Sequence, residues 1–278
     1  MTKFLDGKTL SARLNEDLKE QISYLTKKPK LAIIQVGNRA ESNTYIRRKK
    51  EFGESIGAGV LHQKHKSAVS EKEIIKNIKK FNTDNSVDGI IVQLPLPHHI
   101  DPIKVIEYIS PEKDVDGQTS KSLKALMEGV PKFIPATTKG IITLLEKNKV
   151  PIKGKNVCIV GRSTLVGKPT AFEFLNKNAT VTICHSHTRN LKNHTKKADI
   201  LIVAIGKANF INKDFVKKGQ IIIDVGINYM IKNGQNKMVG DVNTKNVLSK
   251  VRAITPVPGG VGPMTILSLF ENLLRSRS

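Results

Sequence analysis

The stretch KNVCIVGRSTLVGKPTAFEFLNKNATVTICH, residues 155–185, decides the fold of its half of the chain. An apolar run, a turn that contains Gly161 and Gly167, a helix-forming segment and a second apolar run follow one another within about 30 residues. This order is typical of a dinucleotide-binding βαβ unit. The turn departs from Gly-x-Gly-x-x-Gly, because Ser163 takes the place of the middle glycine and the last glycine is displaced by one. The position of the glycines between strand and helix is therefore the stronger indication.

The same stretch predicts which dinucleotide binds. A helix start offers free N–H groups and a favourable dipole to a pyrophosphate. An enzyme specific for NAD carries an Asp or Glu about 20 residues after the glycines, but here His185-Ser186-His187-Thr188 follow the second strand. Arg162 and Ser163 are suited to a 2′-phosphate, so NADP⁺ is predicted. In the alternative interpretation Arg162 is a surface cation and His185 a hydrogen-bonded strand terminus.

The rest of the chain continues the alternation of apolar runs and amphipathic segments, which predicts parallel sheets. Its length of 278 residues suggests two domains. We expect an α/β fold in which each domain has a mainly parallel sheet with helices on both faces, the second domain is Rossmann-type, and the active-site cleft lies between them. The predicted domains are residues 1–136, completed by a C-terminal helix over 264–278, and residues 137–263. Strands are predicted at 30–37, 89–96, 155–161, 179–185, 198–206 and 219–227, and helices at 8–26, 41–53, 71–82, 100–109, 137–148, 166–178 and 263–276.

Composition excludes several classes of protein. Hydrophobic residues make up 39% of the chain, as in globular proteins. No stretch approaches the roughly 20 apolar residues of a membrane-spanning helix, and the N-terminal sequence has no apolar signal core, so we expect a cytoplasmic protein without membrane contact. Cys158 and Cys184 fall in apolar strands and are predicted to be reduced core thiols rather than a disulfide or a zinc site.

The formal net charge of +22 is the unusual feature of the composition. It is compatible with nucleic-acid binding. The lysines are dispersed, however, and aromatic residues amount to only 5%, so the charge favours a lysine-rich solvated surface. The same field would attract a polyanionic substrate.

Three polar groups in the first half are candidate site residues. Tyr45 and Lys49 share one helix face, where a desolvated lysine can take part in proton transfer; the alternative is an ordinary amphipathic surface pair. Gln93 follows an apolar strand at the carboxyl end, where open α/β sheets bind ligands. Asp114 and Asp116 precede Gly117 and could form a metal loop, although two carboxylates are few for calcium or magnesium; binding of a substrate with amidine-like N–H donors is an equally good use. No metal site is predicted.

Five motifs together resemble those of the bifunctional methylenetetrahydrofolate dehydrogenase/methenyltetrahydrofolate cyclohydrolases. They are in the right order and span nearly the whole chain. The motifs are VQLPLP (92–97), PEKDVDG (111–117), VGRS with VGKP (160–169), VTICHSHT (181–188) and TPVPGGVGPMT (255–265).

The resemblance implies a folate substrate and a role for each matching residue. Lys49 would activate the water of the hydrolase step and Gln93 would tune it. Tyr45 would stack on the folate, and Asp116 would hydrogen-bond the pterin. The resemblance also implies a homodimer formed through the cofactor domain. A polyglutamylated folate would suit the positive charge.

The remaining positions concern NADP and the approach of backbone to the ligands. Arg162, Ser163 and Ser186 would contact the 2′-phosphate. The cofactor set also includes Gly161, Gly167 and Ile227, the last at the end of the predicted strand 219–227. Pro258, Gly259 and Gly260 are predicted to bind substrate, at a place where backbone would approach substrate or cofactor closely.

The chain departs from the family pattern at two places. Pro135-Ala136-Thr137-Thr138 stands where the family usually has Pro-Cys-Thr-Pro, which loosens the start of the linking helix. Asn38-Arg39-Ala40-Glu41 replaces the commoner Asp-Asn-Pro-Ala. Neither change touches the proposed catalytic residues. Two alternatives remain: an enzyme with dehydrogenase activity only, and a basic nucleic-acid-binding protein on a dinucleotide-type scaffold.

Overall fold

The structure is a computed structural model that describes residues 2–232 and 235–277. Helices and strands alternate along most of it. The helices are α1 (Gly7–Ser23), α2 (Ala40–Ser55), α3 (Glu71–Thr83), α4 (Pro102–Ile106), α5 (Ser120–Met127), α6 (Ala136–Lys147), α7 (Gly167–Asn176), α8 (Leu191–Lys197), α9 (Thr244–Val247) and α10 (Val261–Arg275). The strands are β1 (Lys3–Phe4), β2 (Lys30–Val36), β3 (Gly59–His65), β4 (Gly89–Val92), β5 (Asn156–Val160), β6 (Thr180–Cys184), β7 (Ile200–Val203), β8 (Ile221–Asp224), β9 (Asn228–Lys232), β10 (Gln235–Val239) and β11 (Ala253–Ile254).

The chain divides into two compact units. The nucleotide unit consists of residues 1–11 and 137–265, and the lysine unit, named for Lys49, consists of residues 12–136 and 266–278. The domains predicted from sequence differ from this division chiefly in residues 1–11. Those residues join the nucleotide unit because β1 pairs with β11. The limits and the roles of the two predicted domains stay a prediction.

The nucleotide unit is built on a six-stranded sheet in the order β1-β11-β8-β7-β5-β6. All its strand pairs are parallel, and β5 lies between β7 and β6. Strands β7 and β8 are buried along their whole length, as expected for parallel strands covered on both sides. Their Ile- and Val-rich sequences are thus explained. A separate antiparallel hairpin is formed by β9 and β10.

The lysine unit contains a three-stranded parallel sheet in the order β3-β2-β4. Helix α3 begins after Ser70, whose hydroxyl accepts the N–H of Glu73, an N-cap that satisfies one of the free donors of the first turn. Its buried side chains Ile74 and Ile78 belong to the same core cluster as Ile34 of β2. The amphipathic helix therefore covers the sheet that holds the candidate lysine site.

The prediction of a two-domain α/β chain with mainly parallel sheets is confirmed. Some elements differ from their predicted limits. The strand predicted at 89–96 ends at Val92, because Pro95 and Pro97 lack the N–H that a ladder requires. The segment 111–122, interpreted as a loop, runs into α5 at Ser120. None of the helices in residues 2–232 and 235–277 is long and apolar enough to cross a membrane.

The helix predicted to start loosely has a side-chain bond close to its beginning. Helix α6 begins at Ala136, and Thr138, which stands where the family usually has proline, is fully buried. The Thr138 hydroxyl lies 3.0 Å from the Thr170 hydroxyl of α7. A buried hydrogen bond of this kind contributes about 1 kcal/mol and fixes the start of the helix by other means than proline.

Candidate active site

Helix α2 carries Tyr45 and Lys49 one turn apart. The helix packs closely in the lysine unit: a Cβ on Gly53 would lie 2.7 Å from a methyl group of Val60 and 3.1 Å from the ring of Phe270. Such contacts leave no room for sliding of the helix. The packing of α2 therefore fixes the backbone positions of Tyr45 and Lys49.

A polar network holds the first turn of α2 on the sheet. Arg39 precedes the helix without a side-chain cap. Instead, the side-chain amide of Gln35 on β2 donates to the Asn43 side chain at 2.7 Å, and Nε2 of His62 on β3 lies 2.8 Å from Oε1 of Gln35. Gln35 is buried, so loss of one partner would leave a costly unsatisfied polar group. Neither Gln35 nor His62 was predicted as a site residue, because Gln35 lies inside a predicted apolar strand and His62 in a segment that was assigned no element.

Lys49 and Gln93 are directly hydrogen-bonded. The ammonium of Lys49 donates to Oε1 of Gln93 at 2.9 Å. The Gln93 side-chain amide donates to the carbonyl of Leu94 at 2.8 Å, and its backbone N–H donates to the carbonyl of Ile34 at 2.8 Å. That backbone bond continues the ladder of β2 one residue past the end of β4. The amide is thus held by its backbone and by its NH₂ group, and its carbonyl oxygen faces Lys49.

Burial changes the proton affinity of the cluster around Lys49. Desolvation lowers the pKa of Lys49, and the charge of Asp116 opposes this effect. Desolvation raises the pKa of Asp116 to about 6, which the positive charge of Lys49 counteracts. The pKa values of both side chains are thereby shifted toward neutral pH, where a side chain is suited to proton transfer.

The two carboxylates that were predicted as a pair have separate structural roles. Asp114 is buried and accepts the N–H groups of Gln118 and Thr119 at 3.0 and 2.8 Å and the Ser122 hydroxyl at 2.6 Å. Asp116 is hydrogen-bonded by the Gln118 side chain. Asp114 therefore fixes the loop, while Asp116 is the carboxylate that interacts with Lys49. Among residues 2–232 and 235–277 no group of three or more His, Cys, Asp or Glu side chains is arranged to hold a metal ion.

Asn272 of α10 supports the Asp116 loop from the C-terminal end of the chain. Its side-chain amide donates to the carbonyls of Val115 and Ile134, both at 2.9 Å. Asn272 is buried. The sequence predicted only an amphipathic helix here, because an asparagine in such a helix carries no signal that its partner lies 157 residues away.

In the nucleotide unit, the turn after β5 requires both of its glycines. Gly161 has φ +134°, and a Cβ there would lie 2.3 Å from the carbonyl oxygen of Ala204. A Cβ on Gly167 would lie 2.3 Å from the carbonyl oxygen of Gly161. Glycine is required at both positions because backbone approaches backbone. The turn brings the start of α7 directly to the end of β5.

Ser163 caps the start of α7. Its hydroxyl oxygen accepts the N–H groups of Val166 and Gly167 at 3.2 and 3.3 Å. Arg162 and Ser163 are both exposed. The serine in place of the middle glycine therefore has a structural use, and the exposed guanidinium beside it is suited to an anion.

The other predicted cofactor residues, and three residues predicted to bind substrate, follow neighbouring strands at the same carboxyl edge of the sheet. Ser186 comes after β6, and Ile227 after β8; both are exposed. Pro258, Gly259 and Gly260 come after β11, where Gly259 has φ +107°. Because all these strands are parallel, the structure brings the predicted cofactor residues and the predicted substrate-binding residues Pro258, Gly259 and Gly260 to one edge of one sheet.

Two buried aspartates that the sequence analysis did not identify hold the loops at this edge. Oδ1 of Asp224 accepts the N–H of Asp241 at 2.9 Å, and Oδ2 accepts that of Val242 at 2.9 Å. Asp241 in turn accepts the N–H groups of Ile205 and Lys207 at 2.7 and 2.8 Å. Burial raises the pKa of Asp224 to about 7, against the effect of its N–H donors. The repeated Asp-Val of DVG (224–226) and GDV (240–242) was a signal that could have suggested these residues.

The residues at the carboxyl edge of the sheet in the nucleotide unit fit a dinucleotide. The glycines leave space that a Cβ would fill, the turn leads into a helix start, and no carboxylate stands at residues 185–188 to repel a 2′-phosphate. Fold and site together define an α/β protein with a Rossmann-type dinucleotide-binding unit and a second unit that carries a partly buried lysine cluster.

Sequence comparison gives the family. Residues 5–116 match the catalytic domain, and residues 135–278 the NAD(P)-binding domain, of the tetrahydrofolate dehydrogenase/cyclohydrolases. The chain belongs to this family. A protein of Agathobacter rectalis named bifunctional protein FolD is 49% identical over 99% of each chain.

Two solved structures support the same assignment. The bifunctional enzyme FolD, a methylenetetrahydrofolate dehydrogenase/cyclohydrolase from Campylobacter jejuni, has a TM-score of 0.96 and 41% identity, with 99% of this chain and 98% of that chain covered. The Trypanosoma brucei methylenetetrahydrofolate dehydrogenase-cyclohydrolase, solved with NADP cofactor and an inhibitor, has a TM-score of 0.95 and 30% identity, with 99% and 97% covered. The resemblance predicted from the motifs is confirmed.

Proposed function

We propose that this chain oxidises 5,10-methylenetetrahydrofolate with NADP⁺ and hydrolyses the resulting 5,10-methenyltetrahydrofolate to 10-formyltetrahydrofolate, with Lys49 as the group that moves protons in the second step. The observation that carries the proposal is the hydrogen bond of 2.9 Å between Lys49 and Gln93. A lysine held in this way, with its pKa lowered by burial, is suited to accept a proton near neutral pH.

For the dehydrogenase step the chain mainly has to position its ligands. NADP⁺ supplies the hydride acceptor when bound, and the substrate loses a hydride from its methylene bridge. The flanking nitrogens of the folate stabilise the methenyl cation, so alignment of the two rings is the main requirement. Tyr45 would stack on the folate, and Asp116 would hydrogen-bond the pterin.

For the hydrolase step, water adds to the methenyl carbon, and the proton that it loses passes to the nitrogen of Lys49. Gln93 accepts one N–H of Lys49 and so fixes the orientation of the amino group. The hydroxyl group on this carbon then loses its proton to solvent as the C=O bond of the formyl group forms, one C–N bond breaks, and Lys49 returns its proton to the leaving nitrogen. Both transfers at Lys49 require that it exchange protons at the working pH, which its lowered pKa favours.

For NADP⁺ we propose two kinds of contact. Gly161 and Gly167 let the backbone and the start of α7 approach the pyrophosphate, and Ile227 together with Pro258, Gly259 and Gly260 lines the same edge. Arg162, Ser163 and Ser186 would bind the 2′-phosphate by charge-assisted hydrogen bonds.

The proposal includes a homodimer formed through the nucleotide unit. Strand β6 is the last strand of its sheet, and Ile183 on it is 42% exposed, while Leu175 of the adjacent α7 is 58% exposed. An open sheet edge with apolar side chains favours pairing with a second chain. Light scattering of the protein, beside an Ile183→Lys variant expected to be monomeric, tests this part.

The proposal also includes a cytoplasmic location and a polyglutamylated substrate. Cys158 and Cys184 are buried thiols whose sulfurs lie 3.7 Å apart without a disulfide, which suits a reducing compartment. Cell fractionation tests the location. The net charge of +22 favours the polyanionic tail, and equal Michaelis constants for mono- and polyglutamate substrates would contradict that preference.

The central test is an absorbance assay with 5,10-methylenetetrahydrofolate and either NADP⁺ or NAD⁺ that follows reduced nicotinamide and methenyltetrahydrofolate together. We expect reduction with NADP⁺ and little build-up of the methenyl compound. Accumulation of that compound would indicate a dehydrogenase without cyclohydrolase activity. The absence of reduction with both cofactors would contradict the assignment.

Cofactor preference is tested at Arg162. Arg162→Ala should weaken NADP⁺ binding about 10- to 100-fold, because charge-assisted hydrogen bonds to the 2′-phosphate are lost, and should leave NAD⁺ binding nearly unchanged. Titration calorimetry with both cofactors measures the difference. Lys245→Ala, which removes an exposed lysine of α9, is the charge control. Equal weakening of both cofactors would contradict the assigned role.

A further inference from the structure

The nucleotide unit has a second concave region at the amino ends of its strands. This amino-edge cavity has a volume of about 280 Å³, and its polar lining consists of Lys155, Lys217, Lys218 and Arg252 around one carboxylate, Asp199. Four cations against one anion leave an excess of positive charge around a partly open cavity. Such an excess attracts anions more strongly than the same charges spread over an open surface.

The amino-edge cavity is separate from the predicted cofactor edge. Its lining residues come directly before, or at the beginning of, strands β5, β7, β8 and β11. The glycine turn lies after the end of β5, and β5 has five residues. At about 3.3 Å per residue the two regions are roughly 15 Å apart along the strand.

The single carboxylate in the cavity is already used by its own neighbours. Oδ2 of Asp199 accepts the N–H of Asn156 at 3.0 Å, and Oδ1 accepts the ammonium of Lys217 at 3.2 Å. Lys217 also donates to the carbonyl of Lys197 at 3.2 Å. Asp199 is thus committed to holding Lys217, and its charge is largely balanced there.

Three cations of the amino-edge cavity remain for a ligand. Within residues 2–232 and 235–277, the structure shows no ion pair between Lys155, Lys218 or Arg252 and an acidic side chain. Lys218 and Arg252 are therefore available to an anion that enters the cavity, and Lys155, which also interacts electrostatically with Asp199, adds its charge.

The backbone around these cations is held by hydrogen bonds. The N–H of Gly219 donates to the carbonyl of Lys250 at 2.8 Å, that of Arg252 to Gln220 at 2.8 Å, and that of Ile221 to Asp199 at 3.0 Å. A framework of this kind requires little reordering when a ligand binds, which favours affinity.

We propose that the amino-edge cavity is a binding site for a small, multiply charged phosphate anion. Lys and Arg are the side chains that bind phosphate in proteins, Arg as a planar fork and Lys as a point charge. The small volume suits a di- or triphosphate rather than a larger ligand. The lining has no aromatic side chain, whereas single-stranded nucleic acid is bound by aromatic stacking as well as charge.

Titration calorimetry with inorganic pyrophosphate at constant ionic strength tests the proposal. We expect saturable binding of one pyrophosphate per chain at the cavity, tighter than binding of sulfate, with a matching rise in melting temperature. The double variant Lys218→Ala/Arg252→Ala should weaken it at least about tenfold, because two charged donors are lost. Both side chains are exposed, so the variant should fold normally.

The matched control is Lys237→Ala/Lys245→Ala, which removes the same charge from exposed lysines outside the cavity. It should change pyrophosphate affinity by less than about twofold. Equal weakening in both double variants would show a diffuse charge effect and overturn the site. Absence of saturable binding, or displacement of all pyrophosphate by NADP⁺, would also overturn it.

Two further results separate this proposal from other assignments. If a short single-stranded RNA binds more tightly than pyrophosphate and loses its affinity in the same cavity variant, the small-anion assignment is wrong. If NADP⁺ itself does not bind, the proposed function fails, but the comparison of the two double variants still decides the cavity.

Discussion

The two candidate sites of this chain differ in the kind of atom that forms them. In the lysine unit the site consists of side chains that bind one another, Lys49 with Gln93, and burial shifts the pKa values of Lys49 and Asp116. In the nucleotide unit the site is a backbone turn that exists because Gly161 and Gly167 have no side chain. A substitution in the first site should therefore change chemistry, and one in the second should change geometry and binding.

The largest effect is expected at Lys49. Lys49→Met keeps the length and apolar stem of the side chain and removes its proton-carrying nitrogen. We expect the rate of methenyltetrahydrofolate hydrolysis to fall about 10²- to 10⁴-fold, the usual contribution of a general acid or base, with folate binding retained. Single-turnover hydrolysis and a separate binding titration measure the two quantities.

Lys50→Met is the matched control for this change. Lys50 is the next residue on the same helix and is hydrogen-bonded to none of the proposed catalytic side chains within the described part of the chain. Its replacement should leave hydrolysis within about twofold of the original rate. Normal hydrolysis by the Lys49→Met protein would remove the catalytic assignment of that residue.

The second effect concerns geometry in the nucleotide unit. In Gly167→Ala the new methyl group would lie 2.3 Å from the carbonyl oxygen of Gly161, so the turn has to move away from its cofactor-binding position. NADP⁺ affinity should fall at least about tenfold, while hydrolysis of supplied methenyltetrahydrofolate continues. Titration calorimetry and the hydrolysis assay report the two effects separately.

Gly154→Ala separates the clash from general strain. Gly154 has φ +73°, and a Cβ there would meet no atom within 4 Å. This variant should lose about 1 kcal/mol of stability and keep its NADP⁺ affinity. If both alanine variants bind NADP⁺ equally well, the close approach in the turn has no bearing on the cofactor.

The third effect is a shift in pH dependence. Gln93→Glu would place a carboxylate where Oε1 now lies 2.9 Å from Lys49. An opposite charge at that distance raises the pKa of the lysine, so less neutral lysine is present at neutral pH. The pH profile of kcat/KM for hydrolysis should move upward by about one unit. Gln93→Met, which adds no charge, should lower activity without that movement, and an unmoved profile in the Glu variant would contradict the role of Gln93.

The sequence was sufficient for the central strands and the glycine turn, because both depend on local patterns. Strands β5 and β7 are continuous apolar runs, and the turn lies between a strand and a helix. Strand β3 was not predicted, because GVLHQKH forms the edge of its sheet and is only partly buried, with polar side chains along it. Edge strands lack the continuous apolar pattern of central ones.

The candidate site was predictable to the extent that its residues lie in motifs. Lys49 and Gln93 were both proposed, and they are hydrogen-bonded. Asn272 and Asp241 were not, because their roles consist of hydrogen bonds to backbone groups that are distant in sequence. No periodicity or motif spacing encodes such bonds, since they depend on how the folded chain brings loops together.

The smallest expected effect is on stability at Asp116, and it tests whether burial governs the lysine cluster. The pKa of Asp116 is raised from 3.8 to about 6 in the folded chain. Between these values the folded chain binds more protons than the unfolded chain, so Asp116 lowers stability progressively as the pH rises through about 4 to 6.

Asp116→Asn removes this dependence. The free energy of unfolding of the variant, relative to the original protein, should therefore increase by on the order of 1 kcal/mol from pH 4 to pH 7, after allowance for partial exposure to solvent. Urea titrations across this range measure it, with Asp17→Asn, an exposed carboxylate of α1, as the control for removing one negative charge. A difference that stays flat with pH, or falls, would mean that folding does not raise the pKa of Asp116, and burial would then not govern the proton affinity of the lysine cluster.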